Sequence, residues 1–480
     1  MTWPLITVVA LALLAWAVLA GLVGNPRTSA LAVTAVFVST LSGATLTRLA
    51  EQLQAPLVVP LAMILVFLVC ISVLRSRSHV HGLTRFANVL LLTCTILVAW
   101  PIVFSEFRRW KLPTPEYGAL DPGADRSAAN RPDIYVLVLD GYGRADVLRD
   151  TYGFDNDLVP ALESLGFFVA SGASSNYAQT APSLASFLNL DYLSSLLPAH
   201  TEDDVPTRRR LGDLIARNRT FASLRSAGYR IRAYASEYSL IRPQQVDEVR
   251  HAWPMLTSFD YGLYEDSLLP RASMALGIPR SLPPLAAHRR QVNWALNDLL
   301  RSPPAGSDPP TLVFAHLLVP HPPFAFAADG QPRPVRSPST LQDGSLWHAM
   351  AGDGDSYEAG YVSSVRFLNR PITELAQRLA RRDNGRDAIV FLLGDHGPGS
   401  KLQWENPAAT DVRERLGNLL AVRFPDGSAA GMHSSITPVN AFRVLMNRVL
   451  GTGLPLLEDR AYFSTWSKPW QFIDVTDRVR

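Results

Sequence analysis

The sequence predicts an α/β domain built on a mostly parallel sheet with helices on both faces, preceded by an N-terminal bundle of about four transmembrane helices. Three observations lead there. Short β-branched runs recur after residue 132, helical segments lie between them, and nearly all the extreme apolar sequence falls before residue 106.

The apolar part comes first along the chain. Four uncharged stretches occupy about 1–24, 28–47, 55–74 and 86–105. Each is long enough to cross roughly 30 Å of hydrocarbon at 1.5 Å per residue. The first lacks the basic start of a signal peptide, and three more such runs follow it. Charge does not orient the bundle. If the 75–85 loop is cytoplasmic, Arg27, Arg75, Arg77 and Arg85 inside face Arg48, Arg108, Arg109 and Lys111 outside. Residues 106–132 then read as a juxtamembrane segment and linker, rich in Pro, Gly, Ala and Asp without period.

Residues 133–480 read as the catalytic domain. The strand candidates are DIYVLVL (133–139), YRIRAYA (229–235), TLVFAH (311–316), AIVFLLG (388–394) and NLLAVRF (418–424). Near-continuous apolar runs of this kind suit strands covered on both faces. Helices are expected at 155–165, 288–301, 357–382 and 438–450, and alternation of the two types implies a parallel sheet.

Bulk composition narrows the function. With 45 basic and 42 acidic side chains the formal charge is only +3, which argues against nucleic acid as the partner. The two cysteines, Cys70 and Cys94, sit in apolar runs, so they supply no Cys-based metal site.

Ligands of parallel sheets bind beyond the carboxyl ends of the strands. Those ends here read Asp140 (VLVLDGYGR), His316 (HLLVPHPPF) and Asp395-His396 (FLLGDHG). Three strands thus deliver metal-type ligands to one sheet edge. A polar loop, SSNYAQTAPSLASFL, runs into a helix starting near Thr180 or Pro182. A hydroxyl there sits at the positive end of the helix dipole. His321 follows His316 in a Pro-rich loop and could neutralise phosphoryl oxygens or protonate a leaving group. Each motif by itself also has a plain reading: a turn at Asp140, a cap at Thr180 or Ser183, solvated loop histidines at 316 and 321.

In this order the motifs resemble the sulfatase-like branch of the alkaline phosphatase superfamily. With membrane spans in front, the chain looks like lipoteichoic acid synthases and phosphoethanolamine transferases. YEAGYVSSVRFLN (357–369) is similar to the helix those proteins carry before the last metal motif. The resemblance implies one divalent ion, Mn or Zn, held by Asp140, Asp395, His396 and Thr180, with a second ion as an option. It implies Thr180 as nucleophile and His321, with His316 less directly, as the histidines that handle substrate phosphate. Asp355 and His433 are candidates for a second ion or a substrate contact. It also implies an extracytoplasmic catalytic domain on a cell membrane, a membrane lipid as donor and an envelope glycan or glycolipid as acceptor.

The chain departs from the sulfatase pattern C/S-x-P-S-R, reading Thr180-Ala181-Pro182-Ser183-Leu184. Threonine cannot give the formylglycine aldehyde, which argues against sulfate-ester hydrolysis by that route. No histidine follows the DHG motif closely, as it does in phosphoethanolamine transferases. The expectation is a metal-dependent phosphotransferase working through a covalent threonine intermediate. A phosphodiesterase or phosphatase-type hydrolase with the same site, and a non-catalytic membrane scaffold, stay open beside it.

Overall fold

The runs of β-branched residues become strands because every second side chain can be buried on each face of a covered sheet. A computed structural model describes residues 2–41, 118–121, 131–197, 207–253, 255–257, 260–261, 283–301, 309–333, 341–351, 356–381 and 388–479. The strands are β1 (Asp133–Leu139), β2 (Phe168–Val169), β3 (Arg230–Tyr234), β4 (Glu248–Arg250), β5 (Thr311–Leu317), β6 (Ala388–Leu393), β7 (Leu420–Arg423), β8 (Tyr462–Phe463) and β9 (Ile473–Asp474). Seven form one sheet in the order β2-β7-β6-β1-β5-β3-β4, and β8 pairs with β9 separately.

The five strands from β6 to β4 run parallel. The fold class expected from the sequence is therefore the one observed, an α/β domain with a mostly parallel sheet. Two details differ. The run at 418–424 pairs antiparallel to β6, and two short edge strands were not expected: β2, two residues of the short apolar run FFVA, and β4, Glu248-Val249-Arg250. Both are two or three residues long and incompletely buried, so neither needs a continuous apolar run.

Strand β1 shows how the layers form. Ile134, Val136 and Val138 join one buried cluster with Leu184, Phe187 and Phe442. Tyr135, Leu137 and Leu139 join a second with Tyr361, Val365 and Leu296. The period of two places successive residues on opposite faces. The first face is covered by helices Thr180–Leu188 and Pro438–Leu450, the second by Pro283–Arg301 and Tyr357–Ala380. Of the expected helices, the first begins later, at Leu158, and the second earlier, at Pro283.

Register then aligns the strand ends. Val138 is level with His316 on one side and Leu393 on the other. Two residues further on, Asp140 comes level with Asp395. Gly141, with φ +76°, turns the chain there, and its N–H donates to Asp395 Oδ1 at 3.0 Å.

The chain divides into two compact units, Met1–Pro113 with Ser258–Arg280, and Thr114–Thr257 with Ser281–Arg480. In the first, helices Thr2–Val23 and Pro26–Leu41 are joined by a hydrogen bond from Trp16 Nε1 to the Pro26 carbonyl at 2.9 Å. Among the described residues no helix is long and apolar enough to cross a membrane. The apolar stretches at 55–74 and 86–105 lie outside the described residues. Part of the expected linker is docked on the second unit, where Leu120 N–H donates to Ser223 Oγ at 2.9 Å.

Candidate active site

Asp140, His316, Asp395 and His396 are each no more than 2% exposed, although every one is ionisable. Burying such groups is costly unless each finds a partner. Much of the polarity is satisfied. His396 Nδ1 donates to the Gly397 carbonyl at 2.8 Å, which leaves Nε2 with its lone pair toward the site. His316 Nδ1 lies 2.9 Å from Ser236 Oγ, which aims its Nε2 at the carboxylates.

The rest is unfinished. Asp140 Oδ1, Asp395 Oδ2 and His316 Nε2 are buried with no hydrogen-bond partner among the described residues. Asp140, His316 and Asp395 each offer a ligand atom within 4.8 Å of the other two. His396 Nε2 lies 3.5 Å from Asp140 Oδ1, 3.4 Å from Asp395 Oδ2 and 3.1 Å from Thr180 Oγ1. Tetrahedral zinc with bonds of about 2.1 Å spaces its ligands about 3.4 Å apart. The donor set, two carboxylates with imidazole and hydroxyl, fits a divalent cation in type as well as spacing. His316 Nε2 faces the other Asp140 oxygen, Oδ2, at 3.4 Å.

Helix Thr180–Leu188 begins where the sequence placed it, and neither hydroxyl works as a cap. The N-cap is Gln179, whose side chain makes no cap bond. Ser183 Oγ instead donates to the Asp395 carbonyl at 2.8 Å, pinning the helix to the DHG turn. Thr180 is the incompletely buried member of the group, and its oxygen meets the cluster at His396 Nε2. Gly397 is required by close approach, since a Cβ there would strike the Glu414 carbonyl.

The electrostatics follow from this crowding. Burial pushes the Asp140 carboxyl up, but His321, His316 and His396 outweigh it and hold it well below the usual range. The two inner imidazoles move in opposite directions. Burial and the Arg415 charge push His396 down. Burial also pushes His316 down, but Asp140 and Asp395 win and raise it.

His321 is also brought to the site, on the open side, its ring centroid 6.2 Å from that of His396. Its Nδ1 faces the Pro322 carbonyl at 2.8 Å, and its Nε2 lies 3.7 Å from Asp343 Oδ2. His433 is engaged elsewhere. Its Nε2 lies 3.0 Å from Asp459 Oδ2 and its Nδ1 3.3 Å from Ser435 Oγ, and none of its contacts reaches the cluster. Asp355 lies outside the described residues.

Three residues were missed by reading the sequence. Asp343 and Arg415 form a buried pair at 2.5 Å. Arg415 also donates to the Ala178 carbonyl at 2.8 Å and stands 3.2 Å from His396 Nε2. Burial pushes the Asp343 carboxyl up, yet Arg415 and His321 bring it down to about 2. Ser236 was the one with a signal: a hydroxyl two residues past β3, at the same sheet edge.

No curated protein matches the chain. Among solved structures it is similar to the C-terminal periplasmic domain of EcEptC from Escherichia coli, at 12% identity over 74% of this chain and 96% of that one, TM-score 0.43. It is similar to the phosphonate monoester hydrolase of Agrobacterium radiobacter, at 15% identity over 69% and 80%, TM-score 0.43. A third is the soluble domain of lipooligosaccharide phosphoethanolamine transferase A from Neisseria meningitidis, at 13% identity over 70% and 93%, TM-score 0.41. The sulfatase family model matches residues 132–436, the stretch that carries the sheet and every residue of the buried cluster, and the chain belongs to that family of enzymes.

Proposed function

We propose that this sulfatase-family enzyme is a membrane-bound, metal-dependent phosphotransferase that works through Thr180. One observation carries the reading: a threonine hydroxyl at a helix start, 3.1 Å from His396 Nε2, beside buried carboxylate oxygens that lack hydrogen-bond partners among the described residues. Asp140, Asp395, His396 and Thr180 would hold one divalent ion, Zn or Mn, and His316, grouped with Asp140 and Asp395, would be a further candidate ligand. Such an ion lowers the pKa of a bound hydroxyl and polarises a phosphoryl oxygen.

The chain's own residues do the rest. Thr180 Oγ1, as the alkoxide that a bound ion would favour, attacks phosphorus, forming a Thr–O–P bond while the bond from phosphorus to the departing alkoxide breaks, and it leaves again as the alkoxide in the second displacement. His321, open to the site and with its Nδ1–H on the Pro322 carbonyl, acts as the imidazolium and gives its Nε2 proton to that alkoxide. An acceptor hydroxyl then returns a proton to His321 and displaces Thr180. Threonine in place of Cys or Ser disfavours the formylglycine route to sulfate esters.

The apolar stretches before residue 106 favour a multi-pass membrane region at 1–105, a juxtamembrane linker at 106–132 and an extracytoplasmic catalytic domain at 133–480. A domain held at a bilayer has lipid headgroups at hand, so the donor in this reading is a membrane phospholipid and the acceptor an envelope glycan or glycolipid. Hydrolysis by the same residues is the second reading, favoured by the openness of Thr180 and His321, which water can reach. Full activity of Thr180→Ala on a phosphodiester would rule out the nucleophile. Release of the phosphomonoester formed by water, without transfer to added glycan or glycerol, would favour the hydrolase.

A further inference from the structure

The motif YEAGYVSSVRFLN opens helix Tyr357–Ala380, and its second tyrosine reaches the turn that follows Asp140. Tyr361 is fully buried. Its hydroxyl donates to the Gly141 carbonyl at 3.0 Å and accepts from the Gly143 N–H at 3.0 Å. One partner only accepts and the other only donates, and a hydroxyl can serve both at once.

Gly141 joins two of the buried carboxylates. It follows Asp140 directly, and its N–H donates to Asp395 Oδ1 at 3.0 Å, while Asp395 Oδ2 has no hydrogen-bond partner among the described residues. The sheet fixes the near side of the turn, where Asp140 N–H donates to the Leu317 carbonyl at 3.0 Å. Gly141, at φ +76°, is the residue with the most conformational freedom to lose there. Tyr361 restrains it from the far side.

The packing brings the hydroxyl to that place. The Tyr361 ring lies against Tyr152, with centroids 4.8 Å apart. Gly360 lets the helix approach, since a Cβ there would strike the ring of Phe324, three residues past His321. Gly143 is needed from the other side: a Cβ on it would stand 3.3 Å from the Tyr361 hydroxyl and 3.0 Å from Pro398 Cδ. The helix start is fixed too, with Ser356 Oγ accepting from Ala359 N–H at 3.2 Å.

We propose that Tyr361 is a positioning residue for the ion site: by bridging Gly141 and Gly143, its hydroxyl fixes the turn that sets Asp140 and Asp395 at ligand spacing before an ion binds. This rests on the reading of Asp140, Asp395, His396 and Thr180 as ligands of one divalent ion, and it adds the group that holds two of them in place. Ligands ordered in advance cost less of the binding free energy when the ion arrives.

The test uses the metal-free full chain in detergent, titrated with Zn against a chromogenic chelator. Tyr361→Phe keeps the ring and removes the hydroxyl, and should bind Zn about tenfold more weakly than the parent. Tyr229→Phe is the matched control. Its hydroxyl donates to the Pro132 carbonyl at 2.9 Å, at the opposite end of β1. That variant should melt at a lower temperature yet keep parental Zn affinity. Parental affinity in folded Tyr361→Phe overturns the proposal, and so does equal weakening in both variants. If Tyr361→Phe does not fold, hydrogen exchange of residues 140–144 in the parent decides. Equal protection with and without Zn supports a turn set in advance, and protection that appears only with Zn overturns it. A parent that binds no Zn overturns the ion site itself, whereas a parent that binds Zn beside an equally tight Tyr361→Phe loses the positioning role alone.

Discussion

Two neighbouring regions are equally buried yet differ in how they are finished. Around Asp343 and Arg415 nearly every polar atom has a partner: Tyr357 hydroxyl and Gly344 N–H on Asp343, the Ala178 and Gly397 carbonyls on Arg415. A few ångströms away, Asp140 Oδ1, Asp395 Oδ2 and His316 Nε2 have none among the described residues. The same chain can satisfy buried charge and does so beside the cluster, so the cluster's open valences mark where a ligand belongs. The finished region is scaffold, tying the loop before Thr180, the DHG turn and the carboxylate facing His321 to one guanidinium.

The comparison can be broken from the unfinished side first. Asp395→Asn, or chelation of the parent, should lower activity on a phosphodiester by roughly a thousandfold or more, because ion binding and nucleophile activation fail together. The protein should stay folded, since that region contributes function more than cohesion. A kinetic assay with circular dichroism on the same sample checks both halves.

The finished side should respond in the opposite way. Arg415→Ala leaves Asp343 buried and uncompensated, so unfolding free energy should fall by about 3–5 kcal/mol in denaturant titration. A loss under about 1 kcal/mol would mean that the pair is not the anchor described here.

A smaller effect comes with pH. The Asp343 carboxyl is lowered to about 2 in the folded chain. A depressed carboxylate contributes stability that is fully present above its unfolded value, about 3.9. That stability is lost as pH falls through the folded value. The window is therefore about pH 4 down to 2, and its size about 2 kcal/mol. Unfolding at a series of pH values should show this loss in the parent and a flatter profile in Asp343→Asn.

The smallest effect separates the roles of His316. Ser236→Ala removes the partner of Nδ1, and outer partners of this kind are worth about tenfold or more in metal affinity. Zn affinity unchanged in Ser236→Ala would mean His316 is not a ligand.

The same division governs what could be read beforehand. Asp140, His316, Asp395 and His396 each close an apolar run whose period fixes its strand, so their place at the sheet edge was legible. Thr180 was legible as a helix start because Pro182 fits only the first turn of that helix. Arg415 sits in VRERL, which reads as a solvated charged turn; it is buried only because helix Val412–Leu416 folds back over the DHG loop. Asp343 has an equally plain local sequence. Its meaning comes from its contact with Arg415, 72 residues away, and no local pattern carries that.

The central claim is that Asp140, Asp395, His396 and Thr180 converge on one divalent ion. Metal analysis of the purified full chain after dialysis against Zn or Mn tests it most directly. The account predicts one ion per chain in the parent and almost none in Asp140→Asn or Asp395→Asn. A parent that retains no ion, or variants that retain as much as the parent, would contradict it.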